Sequence, residues 1–141
     1  MKINTMIFAA LLISAGTVFA AGPQLTDETK ALLSQAKLSV NGVSASEVKK
    51  EMAEGRIVLI DVRDPDEWAK NDGIVYDRSV QISRGFLEVK YPKLILAQYE
   101  KSDSFIVYCA LEPRSVLAAK RMKELGFSDV RYLEGGLKNW Q

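Results

Sequence analysis

Residues 105–115 read FIVYCALEPRS, an apolar run that leads directly into Cys109 and then into a short loop. The first four residues are aromatic or aliphatic, a pattern typical of a strand buried on both faces. The following residues, 115–125, carry apolar side chains at helical spacing and end at Gly126. A buried strand, a tight loop and a helix in succession indicate a parallel α/β sheet, which binds ligands where its strands end. The loop after residue 108 is therefore the candidate site.

Strand and helix patterns alternate through the rest of the chain. A second continuous apolar run covers residues 57–61, and weaker strand patterns cover 40–43, 79–82 and 130–133. Helical patterns cover residues 23–36, 45–54, a short segment carrying Trp68, and 86–99. Thr26 could cap the first of these helices, and Ser44 and Glu47 have capping-box spacing at the start of the second. Pro92 should break the last one. This alternation predicts one α/β domain, a three-layer sandwich around a mainly parallel five-stranded sheet.

The first twenty residues have the pattern of a secretory signal peptide. Lys2 is followed by an apolar stretch, and Val18 and Ala20 place small residues at −3 and −1 of a cut before Ala21. The stretch is shorter than the roughly 20 apolar residues of a membrane-spanning helix. We expect a signal peptide at 1–20, a leader segment at 21–39, a domain at 40–141 and export to the periplasm. An uncleaved N-terminal anchor is the alternative.

The charge balance argues against nucleic acid and membrane partners. Residues 1–20 contain one Lys and no acid, so their removal would leave 18 basic and 18 acidic side chains. A balanced chain has no overall field to attract polyanions or an anionic bilayer. We expect no nucleic-acid partner, no stable membrane association after signal cleavage, and a monomer.

Cys109 is the single cysteine, and the chain contains no histidine. A lone cysteine cannot form an internal disulfide, and it has no resolving partner for thiol–disulfide exchange. The lack of histidine excludes Ser-His and Cys-His dyads and removes the commonest zinc ligand. We therefore expect no metal and no cofactor, and a thiol that is either buried and inert or reactive without an imidazole base.

The loop offers a way to activate this thiol. Amide groups that point inward between a strand and a helix N-terminus form an anion-binding cradle, which stabilises a thiolate. Arg114, five residues after Cys109, is placed to curl back and hold an anionic group over the sulfur. The alternative is that Cys109 is simply a core residue, since cysteine is among the most buried residue types.

Four segments together resemble the single-domain rhodanese family over residues 40–141. They are the Cys-x-x-x-x-Arg loop followed by Ser115, and the stretches DVRDPDEW at 61–68, RGFLE at 84–88 and LEGGLKNW at 133–140. The resemblance implies a rhodanese-like fold and a sulfurtransferase in which Cys109 carries sulfur as a persulfide. The donor would be thiosulfate or a persulfide, and the acceptor a thiol or a protein.

The resemblance also implies roles for the surrounding residues. Amide groups of the loop would cradle the persulfide, Arg84 would line the pocket, and Asp61 with Arg63 would support the neighbouring loop. The loop residues concerned are Ala110, Leu111, Glu112, Arg114 and Ser115; Pro113 has no amide hydrogen to give. Four residues separate Cys109 from Arg114, whereas phosphatases and arsenate reductases of the same fold carry five. That spacing favours sulfur transfer over a phosphatase or an arsenate reductase.

Three features depart from the family pattern, and one of them is Pro113, which stiffens the loop after Glu112. Glu112 stands where the family has Gly, and its charge should disfavour thiosulfate unless Arg114 or Arg84 pairs with it. We therefore expect a neutral or cationic persulfide, or a protein partner, as the donor. The segment that begins at Gly73 lacks the family's His, which puts local packing in question more than chemistry. A catalytically weak binding or sulfur-carrier module remains the alternative function.

Overall fold

The structure is a computed structural model that describes residues 24–141. The expected signal peptide and the first three residues of the leader segment lie outside these residues. Within them, no helix is both long enough and apolar enough to cross a bilayer.

Five strands form one sheet in which every pairing is parallel. They are β1 (Asn41–Val43), β2 (Ile57–Asp61), β3 (Ser79–Gln81), β4 (Ser104–Tyr108) and β5 (Asp129–Leu133), in the order β1-β5-β4-β2-β3. The predicted five-stranded α/β fold is confirmed. The central strand β4 ends level with β2, since Asp61 and Tyr108 are register partners. The segments that follow β5, β4 and β2 therefore emerge side by side.

Five α-helices and two 3-10 turns connect the strands. The helices are α1 (Asp27–Lys37), α2 (Ala45–Ala53), α3 (Pro65–Trp68), α4 (Leu87–Leu94) and α5 (Pro113–Glu124), and the 3-10 turns are Arg84–Phe86 and Gly136–Asn139.

Several boundaries differ from the sequence prediction, and α1 begins at Asp27 rather than at residue 23. Helix α5 begins at Pro113 rather than at residue 115, because proline's fixed φ and missing amide hydrogen suit the first helical position. Helix α4 continues two residues beyond Pro92, so the prediction that Pro92 breaks it is wrong. The helix that was expected to reach residue 99 ends at Leu94.

Helices cover both faces of the sheet, which gives the three predicted layers. Side chains alternate along a strand, so Phe105, Val107 and Cys109 face the cluster shared with α1, α4 and α5. Ile106 and Tyr108 face the cluster shared with α2 and the C-terminal turn. Cys109 thus lies at the end of the central strand, on the side covered by α5.

Helix α1 belongs to the first of these clusters. Thr26 caps it by accepting a hydrogen bond from the Thr29 amide at 3.3 Å. Ala36 is fully buried in the cluster, and the helix packs along α5. Residues 27–37 therefore pack against the sheet domain.

Candidate active site

Cys109 is buried, with 1% of its surface exposed, yet it lines a cavity. The cavity has a volume of about 170 Å3 and is lined by Cys109, Ala110, Leu111, Pro113 and Arg114. Most of this lining is apolar, and Leu111 is exposed. The sulfur therefore borders a small recess, which is also lined by three of the predicted loop residues, Ala110, Leu111 and Arg114.

Two groups of the loop contact the sulfur. The Glu112 amide donates a hydrogen bond to Cys109 Sγ at 3.2 Å. The thiol lies 3.7 Å from Ser115 Oγ, and that hydroxyl donates to the Glu112 carbonyl at 2.8 Å. The Glu112 amide thus donates to the sulfur, whereas the Ser115 hydroxyl accepts from the thiol and gives its own hydrogen to the Glu112 carbonyl. The Glu112 amide is one of the predicted groups, and the hydroxyl of Ser115 is a contact that was not predicted. The contacts of the Ala110, Leu111, Arg114 and Ser115 amides with a transferred sulfur remain predictions.

Glu112 holds an unusual backbone conformation, with a φ of 111°. Residues with a side chain rarely adopt such values, and holding one there costs about 1–3 kcal/mol. The side chain offsets this cost, since its carboxylate accepts a hydrogen bond from the Gly135 amide at 2.7 Å and pairs with Lys37 Nζ. Neither Arg114 nor Arg84 pairs with Glu112, because their guanidinium groups contact Glu67 and Glu88 instead. Lys37 is 75 residues away in the sequence, and no local pattern points to it.

Arg114 binds α3 rather than lying free above the sulfur. Its two terminal nitrogens donate to the Glu67 carboxylate at 2.5 and 2.8 Å, and one lies 3.4 Å from Asp64. This pairing lowers the pKa of Glu67 to about 2, and the Glu67 carboxylate in turn raises the pKa of Arg114. Arg114 still lines the cavity of Cys109. The structure thus fixes the guanidinium at the cavity wall, and its contact with a donor remains a prediction.

Arg84 does not line the cavity of Cys109. It lines a separate cavity of about 240 Å3, and its Nη1 lies 3.4 Å from the Glu88 carboxylate. The reason is the strand order. Arg84 follows β3, an edge strand two positions from β4, and neighbouring strands are about 4.8 Å apart. The motif that contains Arg84 therefore supports α4 and α5. Arg84 does not contact the sulfur, and its role in substrate binding remains a prediction.

Asp61 and Arg63 form a buried pair beside the candidate site. The Arg63 side chain donates to both Asp61 oxygens, at 2.9 and 3.0 Å, and Tyr108 Oη donates to the same carboxylate at 2.9 Å. Arg63 also binds Asp72 at 2.6 Å. Burial raises the pKa of Tyr108 and keeps its hydroxyl protonated. The arrangement fits the predicted supporting role, because it joins the end of β2 to the end of β4.

The same network reaches the segment that lacks the family's histidine. The amide of Ile74 donates to Tyr108 Oη at 3.2 Å, and the Ile74 side chain is buried. A β-carbon at Gly73 would lie 2.8 Å from Arg63 Nη2, so a larger residue there would press on the Arg63 guanidinium. A cavity of about 340 Å3 borders this network, so packing around the segment leaves a space.

The segment after β5 contributes more than the predicted turn. The amides of Leu137 and Lys138 donate to the carbonyls of Cys109 and Ala110, at 2.9 and 3.2 Å. A β-carbon on Gly136 would lie 2.6 Å from the Cys109 carbonyl oxygen. Because these amides bind the carbonyls of Cys109 and Ala110, the C-terminal segment holds the start of the loop. The paired glycines were the available signal, but their partner was not evident from the sequence.

Metal ligation does not account for the arrangement. Over residues 24–141, the structure contains no group of three or more Cys, Asp and Glu side chains placed to hold a metal ion. The arrangement is instead a thiol at a strand end, with an amide and a hydroxyl on its sulfur and a guanidinium at the cavity wall.

The fold and this loop define an α/β domain that places a cysteine on a cavity wall at the end of its central strand. The family profile described as the rhodanese-like domain matches residues 44–141. The chain therefore belongs to the rhodanese-like domain family, a family of sulfurtransferases that the sequence motifs had already suggested.

Named relatives agree with this assignment. Over 99 residues, 70% of this chain, the sequence is 31% identical to the Mycobacterium tuberculosis protein named "Probable adenylyltransferase/sulfurtransferase MoeZ". The chain spans 24% of the length of that relative.

Two solved structures illustrate the structural similarity. A protein of unknown function from Rhodopseudomonas palustris, described as a possible tyrosine phosphatase, is 31% identical with a TM-score of 0.69 over 85% of this chain and 94% of that chain. The human single-domain sulfurtransferase TSTD1 is 23% identical with a TM-score of 0.62 over 72% of this chain and 96% of that chain, and it shows the fold alone.

Proposed function

We propose that this protein is a sulfurtransferase in which Cys109 carries sulfane sulfur as a persulfide from thiosulfate or a persulfide donor to a thiol-type acceptor. The observation that carries the proposal is the sulfur itself. Cys109 Sγ lines a cavity while it accepts the Glu112 amide at 3.2 Å and lies 3.7 Å from Ser115 Oγ. The sulfur therefore accepts a backbone hydrogen bond where it lines a cavity, and that cavity leaves space beside it for a transferred sulfur atom.

The reaction has two balanced steps. The Cys109 thiolate attacks the outer sulfur of the donor, the donor's S–S bond breaks, and sulfite leaves when the donor is thiosulfate, or a thiolate when it is a persulfide. The Cys109 persulfide then passes its outer sulfur to an acceptor thiolate, and the Cys109 thiolate is restored. Each step is a displacement at sulfur, and its rate depends on the thiolate fraction of the attacking group. No redox cofactor is required.

We expect the site to accept anionic donors as well as neutral ones, because the charge of Glu112 is paired. The expectation of a neutral or cationic donor assumed that this carboxylate would act unpaired on the sulfur. Its oxygens are instead held by Lys37 and by the Gly135 amide. An anionic donor therefore meets less repulsion than the sequence alone suggested.

Intact-mass measurement on the reduced protein tests the proposal. Incubation with thiosulfate or a low-molecular-weight persulfide should add about 32 Da, the mass of one sulfur atom on the attacking thiolate, and Cys109→Ser should abolish the adduct. Ser115→Ala serves as a second variant, in which loading should slow rather than vanish. A wild-type protein that takes up no sulfur from either class of donor would instead support a binding module.

A phosphatase assay should accompany this experiment, because one of the similar structures is described as a possible tyrosine phosphatase. Hydrolysis of an aryl phosphate that depends on Cys109, without sulfur loading, would replace the proposal. The loop argues against that result, because it holds four residues between Cys109 and Arg114 rather than five.

We also propose that the protein is exported to the periplasm and works there as a monomer, without a nucleic-acid partner or stable membrane association. The support is the signal-like sequence of residues 1–20 and the balanced charge of the remainder. The full chain is expressed in a Gram-negative host and the cells are fractionated. The periplasmic fraction should contain a protein with the mass of residues 21–141. Retention of residues 1–20 in the membrane fraction would show an anchor instead.

A further inference from the structure

Lys37 reaches the candidate active site from outside the region matched by the family profile, which begins at residue 44. It is the last residue of α1, and its ammonium pairs with Glu112 Oε1. The same ammonium lies 5.5 Å from the centre of the Tyr132 ring. Lys37 is therefore the contact through which the leader helix meets the loop around Cys109.

The position of Lys37 is fixed by its neighbours in the helix. Ala36 is fully buried in the core, and Lys123 of α5 donates to the carbonyl of Ser39 at 3.1 Å. An ion pair between ordered side chains loses less entropy on forming than one between two free surface chains. The Glu112 carboxylate, whose side chain is 20% exposed, is also held by the Gly135 amide. Both ends of the pair are thus anchored.

Glu112 connects this ion pair to the sulfur. Its amide donates to Cys109 Sγ, and the left-handed φ of 111° turns its carboxylate toward Lys37 and Gly135. Release of the carboxylate would let its negative charge turn toward the cavity, and would free a strained backbone to relax. Either change reduces the attraction of the site for anions.

We propose that Lys37 is a positioning and specificity residue that holds the Glu112 carboxylate away from Cys109 and cancels its charge, so that the cavity accepts anionic sulfur donors. This inference rests on the proposed function, since it concerns the donors of the same site. The other charged or titratable groups near the cavity or the ion pair stay unchanged in the test below. Arg114 lies at the cavity wall with Glu67 and Asp64, and Tyr132 lies near Lys37 and Glu112 with Glu134 beside it.

The charge at the sulfur can be measured without any sulfur donor. Cys109 is the single cysteine, so alkylation of the reduced chain reports this thiol alone. Iodoacetate and iodoacetamide are similar in size but differ by one negative charge. The ratio of their rates cancels the thiolate fraction and leaves the effect of local charge. The proteins to compare are wild type, Lys37→Met, Glu112→Gln and the double variant, with Lys30→Met as a control on the same helix, where Lys30 pairs with Asp27 alone.

Lys37→Met should lower the iodoacetate-to-iodoacetamide ratio about fivefold, the size expected for one partly exposed ion pair. In the Glu112→Gln background, where there is no carboxylate to hold, the same substitution should change the ratio less than about twofold. Lys30→Met should leave the ratio as in wild type. Loading from thiosulfate should fall in Lys37→Met more than loading from a neutral persulfide.

Three results would overturn the inference. An equal change in both backgrounds would mean that Lys37 acts only as a distant charge. An unchanged ratio, with both rates altered alike, would mean that it acts only on stability. Wild-type protein that neither reagent alkylates would mean that the cavity admits no reagent to discriminate. None of these readings requires sulfur transfer, so failure of the proposed function would be recognised separately, as lack of the persulfide adduct.

Discussion

Glu112 combines a costly backbone conformation with side-chain contacts that offset it. Its φ of 111° suits glycine, while its carboxylate binds Lys37 and the Gly135 amide. Replacement by Ala removes both contacts and keeps the strain, whereas replacement by Gly removes the contacts and relieves the strain. We expect Glu112→Ala to be less stable than Glu112→Gly by about 1 kcal/mol. Urea unfolding followed by tryptophan fluorescence measures the difference, and the reverse order would show that the loop relaxes to another φ in solution.

Gly136 is the residue at which the C-terminal segment comes closest to the Cys109 loop. A β-carbon there would lie 2.6 Å from the Cys109 carbonyl oxygen and 2.8 Å from backbone atoms of Ala110, at a φ of +62°. Backbone atoms cannot move aside as a flexible side chain can. Gly136→Ala should therefore lower the free energy of unfolding by about 2 kcal/mol and slow sulfur loading.

Gly55→Ala is the matched control for this substitution, because Gly55 has a similar φ of +67° and a β-carbon there meets nothing within 4 Å. It should lower the free energy of unfolding by about 1 kcal/mol, the cost of the backbone conformation alone. Equal stability of the two variants would mean that the contact between residue 136 and the loop is loose.

The sequence indicated Cys109 and its loop because their chemistry is local. A lone thiol between an apolar strand and a helix start can be recognised within a dozen residues. Lys37 and Gly136 could not be found in this way, since each acts on residues more than 20 positions away, through contacts that depend on how α1 and the C-terminal segment pack. Arg84 shows the opposite error, in which a motif suggested proximity that the strand order prevents.

Among the elements, α3 and α5 are joined across the candidate site by Arg114 and Glu67. This pairing lowers the pKa of Glu67 from 4.5 to about 2. A carboxylate whose pKa is lower in the folded state stabilises the fold above its unfolded pKa, and the contribution is lost as pH falls through the folded value. Wild type should therefore be more stable than Glu67→Gln by about 1–2 kcal/mol at pH 7.

The difference between wild type and Glu67→Gln should decline as pH falls from about 4.5 to about 2, where the wild-type carboxyl also becomes neutral. Urea unfolding at a series of pH values gives this curve. Asp66→Asn on the same short helix is the control, because Asp66 is exposed and adjoins Glu67 without sharing its pair. A constant difference across the range would mean that the pair does not form in solution.

The elements that were predicted best are those with the strongest patterns. The apolar runs of β2 and β4 are buried almost throughout, so their composition carried the information. The start of α5 and the end of α4 were less accurate, because proline favours a first turn at Pro113 and is tolerated near a helix end at Pro92. The end of a helix depends on the hydrogen bonds of a few backbone groups, and the amino-acid composition does not reveal those bonds.

For the whole molecule, the parallel sheet explains why motifs distant in sequence meet. The carboxyl ends of β2, β4 and β5 lie at one edge in adjacent positions, which brings together the segments that begin at residues 62, 109 and 134. Each segment then has a separate task. The loop after β4 holds the sulfur, the segment after β5 binds the loop carbonyls, and α3 after β2 holds Arg114.

Helix α1 adds a fourth element to this edge, and its attachment can be tested on the whole fold. Ala36 is fully buried, whereas Ala31 on the same helix is exposed. Ala36→Asp would bury a charge without a partner and should lower the free energy of unfolding by about 2–4 kcal/mol, while Ala31→Asp should change it by less than about 0.5 kcal/mol. Thermal unfolding, with and without a low concentration of urea, measures the change in the free energy of unfolding for each variant.

The two variants also separate stability from the position of Lys37. If α1 folds together with the sheet, Ala36→Asp should loosen the helix end that carries Lys37 and lower the iodoacetate-to-iodoacetamide ratio at Cys109, as Lys37→Met does. Ala31→Asp should leave that ratio unchanged, because it adds a charge on the exposed face, well before the end of the helix. Equal stability of the two variants would mean that α1 detaches in solution. Lys37 would then have no fixed position from which to hold Glu112.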